Sequence, residues 1–279
     1  MARMERNPRG TAGAADVPVR RVRAGEARRE VDRLAVEAPL EIRFGGEPFT
    51  VLMRTPGHDE ELVAGFLYAE GIVAAAGDIR SLERPRPPLD DCDNRMEVGL
   101  DPARAPAIVA RRFFGSASCG VCGKSSIEDL EIRAPALAAG WTVPAALLAG
   151  LPEKLRAAQP LFAATGGLHG AGLFDRWGAL AAAREDVGRH KAVDKLVGWA
   201  LGAGRLPLSE SILAVSGRLG FEIVQKAIVA GVPVVAAVGA ASTLAVALAE
   251  RYRLTLATFV RPGAMNLYGA TERVEPGPP

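Results

Sequence analysis

Apolar residues between positions 168 and 260 alternate between the two-residue spacing of strands and the three-to-four-residue spacing of helices. The pattern predicts strands at 168–174, 180–184, 212–215, 232–238 and 254–260. It predicts helices at 187–201, 219–230 and 242–252. Repeated strand–helix–strand units favour an α/β fold with a largely parallel sheet covered by helices.

The preceding residues predict a smaller part that is richer in strands. Two β-like runs between 31 and 54 flank Gly45-Gly46 as a hairpin would, and a helix follows with acidic residues in its first turn. Further strands are expected at 79–82, 96–100 and 107–114, and a helical stretch at 144–164 that Pro152 interrupts. We therefore expect an N-terminal α+β part at 30–134 and an α/β ligand-binding part at 135–269.

The two ends of the chain show no hydrophobic period. Residues 1–29 are rich in Arg, Gly, Ala and Pro, which predicts a disordered arm. Residues 270–279 are expected to form an unstructured tail.

Composition narrows the class of protein. Hydrophobic residues make up 49% of the 279, as in a globular chain, and the net charge of +2 does not indicate a nucleic-acid partner. No run resembles a signal peptide, and Pro233 and Gly239 break the long apolar stretch at 232–249. Three cysteines do not form a secreted disulfide framework. We expect a cytoplasmic protein with no membrane segment.

Two of the cysteines, Cys119 and Cys122, form a Cys-x-x-Cys pair among glycines. Lys124 follows, and Ser125 or Ser126 can cap a helix, so the lysine and the helix dipole would both favour the thiolate. This spacing serves zinc binding, dithiol redox chemistry and sulfur carriage, and the residues leave these alternatives open.

A zinc-dependent deaminase is the second hypothesis. His58-Asp-Glu60 matches the His-x-Glu of zinc deaminases, whose other half is Pro-Cys-x-x-Cys. Here Ser118 stands in place of the proline, which weakens the match.

Four polar, glycine-containing turns follow or precede predicted strands, where open α/β sheets bind ligands. Backbone N–H groups bared by glycine, and cations at a helix start, both suit an anion. Asp186 could simply cap the helix that follows it. Together the turns predict a pocket for a phosphorylated ligand, whose candidate residues are Gly166, Gly167, His169, Asp186, Arg189, His190, Lys191, Ser216, Arg218, Arg261, Pro262 and Gly263.

Several phrases of the sequence together resemble the FdhD family. They are Cys-Gly-Val-Cys-Gly-Lys, Thr-Gly-Gly-x-His, Glu-Asp-Val-Gly-Arg-His-x-Ala-x-Asp-Lys, Ser-Gly-Arg, and Phe-Val-Arg-Pro-Gly-Ala-Met-Asn-Leu-Tyr. The resemblance runs in order from about Arg54 to Gly269.

The resemblance implies a sulfurtransferase needed for active formate dehydrogenase, on a cytidine-deaminase-like α/β fold without zinc or another structural metal. Sulfur would come from a cysteine desulfurase as a persulfide on Cys119, with Cys122 as its partner. The acceptor would be Mo-bis(molybdopterin guanine dinucleotide), or its tungsten counterpart, and the protein would be a homodimer.

The resemblance also implies a cofactor-binding segment, which comprises Phe259, Val260, Arg261, Pro262, Gly263 and Ala264. The turns near His169, Arg189 and Ser216 would then supply donors to the phosphates. Asp186 would accept hydrogen bonds from guanine N–H groups.

Overall fold

A computed structural model describes residues 13–85, 92–104, 132 and 134–277. The Cys119–Cys122 pair, the predicted strand at 107–114 and the helix expected after Cys122 lie outside the described residues. No helix of the described part is long and apolar enough to cross a membrane.

The first strands of the described chain pair in two separate sheets. A two-stranded ribbon consists of β1 (Ala14–Arg23) and β2 (Glu26–Ala35). A four-stranded sheet in the order β4-β3-β6-β5 consists of β3 (Ala38–Phe44), β4 (Glu47–Arg54), β5 (Ile79–Glu83) and β6 (Arg95–Leu100). The β3–β4 turn holds Gly45 and Gly46 at φ 57° and 82°, which confirms the predicted hairpin.

The ribbon corrects the expectation of a disordered arm as far as residues 14–29 are concerned. Its strands pair antiparallel over their whole length, and Ala24 and Gly25 turn the chain at φ 49° and 85°. The sequence does not predict this hairpin, because charged side chains lie on both of its faces and apolar and polar residues do not alternate along its strands.

Six strands of the α/β part form one sheet in the order β13-β12-β11-β10-β8-β9. They are β8 (His169–Asp175), β9 (Leu180–Asp186), β10 (Ser211–Val215), β11 (Val234–Ala237), β12 (Thr255–Arg261) and β13 (Ala264–Gly269). Only β10–β11 and β11–β12 pair in parallel, so the expectation of a largely parallel sheet is wrong. Short turns join β8 to β9 and β12 to β13, and such turns connect only antiparallel strands.

Helices cover both faces of this sheet. The described helices are α1 (Asp59–Ala69), α2 (Ala145–Ala157), α3 (Pro160–Thr165), α4 (Arg189–Gly202), α5 (Phe221–Val229) and α6 (Thr243–Tyr252). Along β10, Leu213 and Val215 join the core under α4, α5 and α6, while Ile212 and Ala214 join the core under α2. The alternation makes this part a three-layer α/β/α structure.

Pro152 does not interrupt the helix that contains it. α2 runs through the proline to Ala157, and the break falls at Ala158 and Gln159. Pro152 removes one helical N–H, but Leu148, Leu151 and Leu155 are fully buried on the sheet. Tertiary packing therefore holds the helix together against the local preference.

The predicted tail after Gly269 is also ordered over residues 271–275. A 3₁₀ turn at Thr271–Arg273 precedes β14 (Val274–Glu275), which pairs in parallel with β7 (Val143–Pro144). The guanidinium of Arg273 is buried and donates to the carbonyl of Leu137 at 2.6 Å. The expectation of an unstructured tail is wrong for these residues because a long-range contact orders them.

α1 and α4 cross closely and join the N-terminal sheet to the α/β part. A Cβ atom on Gly65 would lie 1.8 Å from the carbonyl oxygen of Asp194, and one on Gly198 would lie 1.8 Å from that of Glu61. Only glycine at both positions lets the two backbones approach this far.

Candidate functional site

One edge of the six-stranded sheet gathers the predicted polar turns. β9, β10, β11 and β12 end at this edge and β8 begins there, because β8 alone of the five runs in the opposite direction. Gly170 N donates to Ser216 Oγ at 2.9 Å, Gly239 N to Gly217 O at 3.3 Å, and Phe259 N to Gly239 O at 3.2 Å. The turns that the sequence placed at separate strand ends therefore lie side by side, and we call this the site edge.

His169, Arg189 and Gly217 meet at the centre of the site edge. A Cβ atom on Gly217 would lie 3.4 Å from His169 Nδ1 and 3.5 Å from Arg189 Cδ. Burial lowers the pKa of His169, and the nearby charges of Arg189 and His190 lower it further. The imidazole is therefore neutral at pH 7 and can donate one hydrogen bond and accept another.

Arg189 has an unused donor. Its Nε is buried and has no hydrogen-bond partner among the described residues. Arg189 is also the first residue of α4, whose first turn contains no acidic side chain. A buried guanidinium N–H at a helix N-terminus can donate a charge-assisted hydrogen bond to a phosphate oxygen, and the helix dipole favours the same anion.

The next two basic residues of α4 have their side chains engaged inside the protein. His190 Nδ1 lies 2.8 Å from Glu222 Oε2 on α5, so it faces another helix. Lys191 Nζ lies 5.6 Å from the centre of the Phe66 ring, and burial lowers the pKa of Lys191. The structure thus separates the three consecutive basic residues, and Arg189 is the one that lies beside His169 and Gly217.

Asp186 does not face a ligand. It is fully buried and accepts hydrogen bonds from Thr55 N at 3.1 Å and Gly188 N at 2.8 Å, while Lys195 Nζ lies 2.8 Å away. Burial raises the pKa of Asp186, and these three partners oppose that shift. Asp186 therefore braces the turn that precedes α4, whose N-cap is Gly188 with no side-chain cap, and its carboxylate oxygens are occupied inside the protein, which does not favour guanine recognition.

Gly166 and Gly167 do not form a phosphate-binding turn. Gly166 N donates to Phe162 O at 2.7 Å with φ 67°, and Gly167 N donates to Thr165 Oγ1 at 3.3 Å. Both N–H groups are used in ending α3, as glycine commonly does at a helix C-terminus. The sequence could not distinguish a helix-ending glycine pair from an anion-binding one.

Ser216 and Arg218 have different environments. Ser216 bonds β8 twice, since its Oγ accepts from Gly170 N and its own N donates to Gly170 O at 3.0 Å. Arg218 is exposed at the site edge, with no hydrogen bond or ion pair to another described residue. Ser216 therefore positions the turn, and Arg218 is available to a ligand.

The segment from Phe259 to Ala264 forms the bulged turn of the β12–β13 hairpin rather than the end of a last strand. Val260 is buried in the core, whereas Arg261, Pro262 and Gly263 are exposed. Phe259 has φ 50° and is 46% exposed. A left-handed backbone at a bulky residue costs energy, and such strain commonly marks functional positions.

One glycine and one threonine of the site were missed by sequence reasoning. A Cβ atom on Gly239 would lie 2.8 Å from Gly217 O, so the turn at Gly239 needs glycine to approach the turn at Gly217. Thr55 Oγ1 accepts from Val187 N at 3.1 Å, which ties the residue after β4 to the start of α4. The position of Gly239 directly after a predicted strand could have identified it. The contact between Thr55 and Val187 could not be found in this way, because 132 residues separate them in the sequence.

Cys119 and Cys122, and with them the hypothesis that this pair binds zinc, lie outside the described residues. Cys92 is a free, half-buried thiol in a 3₁₀ turn. Among the described residues no three His, Cys, Asp or Glu side chains come together as a metal site. His58, half of the deaminase hypothesis, has its Nδ1 3.2 Å from Glu61 Oε2 at the start of α1.

Comparison with known proteins gives the chain its family. The profile of the FdhD/NarQ family matches residues 35–275. The chain is 46% identical over 274 residues to the sulfur carrier protein FdhD of Mycobacterium tuberculosis, covering 92% of this chain and 96% of that protein. It is 51% identical over 257 residues to the protein of the same name from Anaeromyxobacter dehalogenans strain 2CP-C, covering 87% and 88%.

A solved structure is also similar. The crystal structure of a protein from Desulfotalea psychrophila, proposed to be a formate dehydrogenase accessory protein, superposes with a TM-score of 0.75 at 28% identity. The match covers 94% of this chain and all of that one. The cytidine-deaminase-like description of the fold stays a prediction. The chain belongs to the FdhD/NarQ family.

Proposed function

We propose that this protein carries sulfur from a cysteine desulfurase to the molybdenum or tungsten cofactor of formate dehydrogenase. Relatives that share about half of its residues over most of its length are named sulfur carrier proteins. The observation that carries the proposal is the Cys119-x-x-Cys122 pair in the segment that the family profile spans. We place the reaction in the cytoplasm and the protein in a homodimer.

The chemistry begins with the thiolate of Cys119. It attacks the outer sulfur of the donor's persulfide, which leaves a persulfide on Cys119 and a thiolate on the donor, so no net oxidation occurs. Attack of the Cys122 thiolate on the inner sulfur then releases HS⁻ to the cofactor and closes a Cys119–Cys122 disulfide. A cellular thiol reduces that disulfide and resets the carrier.

The site edge would hold one guanine dinucleotide arm of the acceptor. Arg189 Nε supplies a buried, unused donor for a phosphate, and neutral His169 supplies a second. Arg218 and Arg261 add exposed cations, and the Phe259 ring offers a face on which a base can stack. Together these residues suit a nucleoside diphosphate. Asp186 is not among them, because its carboxylate is bonded inside the protein.

Formate dehydrogenase activity in a cell that depends on this protein tests the proposal. Cys119→Ala should abolish the activity at normal protein levels. Cys122→Ala should lower it less, because another thiol can release sulfur from the Cys119 persulfide. Full activity with Cys119→Ala would instead indicate a cofactor chaperone that does not carry sulfur.

A further inference from the structure

The ribbon formed by β1 and β2 has two faces of different character. Ten residues in each strand give it a length of about 34 Å. Its base lies beside the turn that ends α3, where a Cβ atom on Gly167 would lie 3.4 Å from Ala35 Cβ. The turn at Ala24 and Gly25 lies at the opposite end, and most residues between are exposed.

One face, which we call the Arg21 face, neutralises its own charges. Arg21 reaches Glu30 at 3.1 Å and Asp32 at 3.3 Å, and Arg28 reaches Glu26 at 3.0 Å. Opposite charges in cross-strand and diagonal positions stabilise a two-stranded sheet. The ion pairs of this face therefore need no partner protein to balance their charges.

The other face carries an unneutralised pair of cations between apolar residues. We call it the Arg20 face. An ion pair between Asp16 and Arg33, 3.8 Å apart, lies on this face towards the base of the ribbon. Beyond that pair the face consists of Pro18, Arg20, Val22, Ala27, Arg29 and Val31. Arg20 and Arg29 are direct cross-strand partners, and neither side chain makes a hydrogen bond or ion pair with another described residue. Val22 is 64% exposed and Val31 is 66% exposed.

Like charges directly opposite each other destabilise a sheet, and an isolated two-stranded ribbon is barely stable in water. Both facts indicate that the Arg20 face is covered in the working protein. A second copy laid face to face would gather four guanidinium groups, so a symmetric contact of this surface is unfavourable. Charge complementarity favours a partner that presents carboxylates around an aliphatic centre.

We propose that the Arg20 face docks an acidic patch of formate dehydrogenase, so that the client enzyme lies next to the site edge. The inference rests on the proposed function, which supplies the client. The base of the ribbon adjoins the turn at 165–167, and that turn leads directly into His169 of the site edge. A client held along the ribbon is therefore within reach of a cofactor bound there.

The test measures binding of purified formate dehydrogenase lacking its cofactor to the purified full chain at several salt concentrations. Arg20→Gln with Arg29→Gln should weaken binding about tenfold or more, and should reduce its dependence on salt. The matched control is Arg21→Gln with Arg28→Gln, which neutralises the cross-strand pair on the opposite face. The control should bind nearly as well as the unchanged protein.

Arg20→Lys with Arg29→Lys keeps the charge and should retain most of the binding. Circular dichroism and GDP affinity verify that each variant is folded with an intact site edge. Equal weakening by the two Gln pairs would overturn the assignment to the Arg20 face. No binding of the enzyme by the unchanged chain, or loss of self-association on neutralising Arg20 and Arg29, would overturn the choice of occupant. Normal persulfide loading in the same samples would leave the proposed function intact.

Discussion

At the scale of single residues, the buried pair of Asp186 and Lys195 connects three parts of the chain. Lys195 Nζ donates to Thr55 O at 2.9 Å, and Asp186 accepts from the backbone of Thr55 and Gly188. Asp186→Asn should cost about 3–5 kcal/mol of unfolding free energy, because it leaves the buried Lys195 charge uncompensated. Urea unfolding measures this cost. A stable variant that loses only its preference for guanine would contradict the structural role.

Arg189 is the residue whose predicted ligand contact the structure supports most directly. Arg189→Gln should weaken GDP binding about tenfold or more, since a charged donor to a phosphate is lost. Arg205→Gln, beyond the other end of α4 and stacked on Trp199 at 5.2 Å, is the control and should leave the affinity unchanged. Calorimetry compares the two, and equal affinities would remove Arg189 from the site.

Asp59 gives the fold a defined response to acid. Burial alone would raise the pKa of Asp59, but Arg54 at 3.0 Å and Arg84 at 2.6 Å lower it below its ordinary value of 3.8. Because the folded-state pKa is the lower one, this stabilisation is present above pH 3.8 and is lost as the pH falls through the folded-state pKa. Asp59→Asn should lower stability at neutral pH and flatten its decline in acid. An unchanged slope in urea unfolding across this range would contradict the assignment.

At the scale of elements, the crossing of α1 and α4 depends on two glycines. Gly65→Ala should destabilise the protein by several kcal/mol, because its Cβ would meet backbone atoms that cannot move independently. Gly150→Ala, in the interior of α2 with nothing within 4 Å of its Cβ, should instead stabilise by about 0.5–1 kcal/mol. Thermal unfolding of both variants tests the contrast. Equal effects would show that the close crossing is not required.

Hydrophobic spacing predicted the strands and helices of the α/β part because these elements bury regular apolar faces. Their convergence at one edge followed from strand direction, and β10, β11 and β12 confirm it. Hydrophobic spacing did not predict β14 or the ribbon, because strand pairing and long-range contacts order these elements. Hydrophobic spacing also could not show that Asp186 and Gly166 are bonded inside the protein, because Thr55 N, Gly188 N and Phe162 O are backbone groups that no side-chain pattern reveals.

At the scale of the whole molecule, the site edge and the ribbon belong to one surface region around the turn at 165–167. The residues proposed to contact a nucleotide lie at strand ends, and the cysteine pair lies in a separate part of the sequence. This division suits a carrier, since the acceptor must be held still while sulfur is delivered from a donor that binds and leaves.

The central claim is that Cys119 carries sulfur, and intact mass spectrometry tests it most directly. The purified protein is incubated with a cysteine desulfurase and cysteine under non-reducing conditions. We predict that the unchanged protein and Cys122→Ala each gain the mass of one sulfur atom, that dithiothreitol removes it, and that Cys119→Ala gains none. No added sulfur on the unchanged protein, or the same gain on Cys119→Ala, would contradict the account.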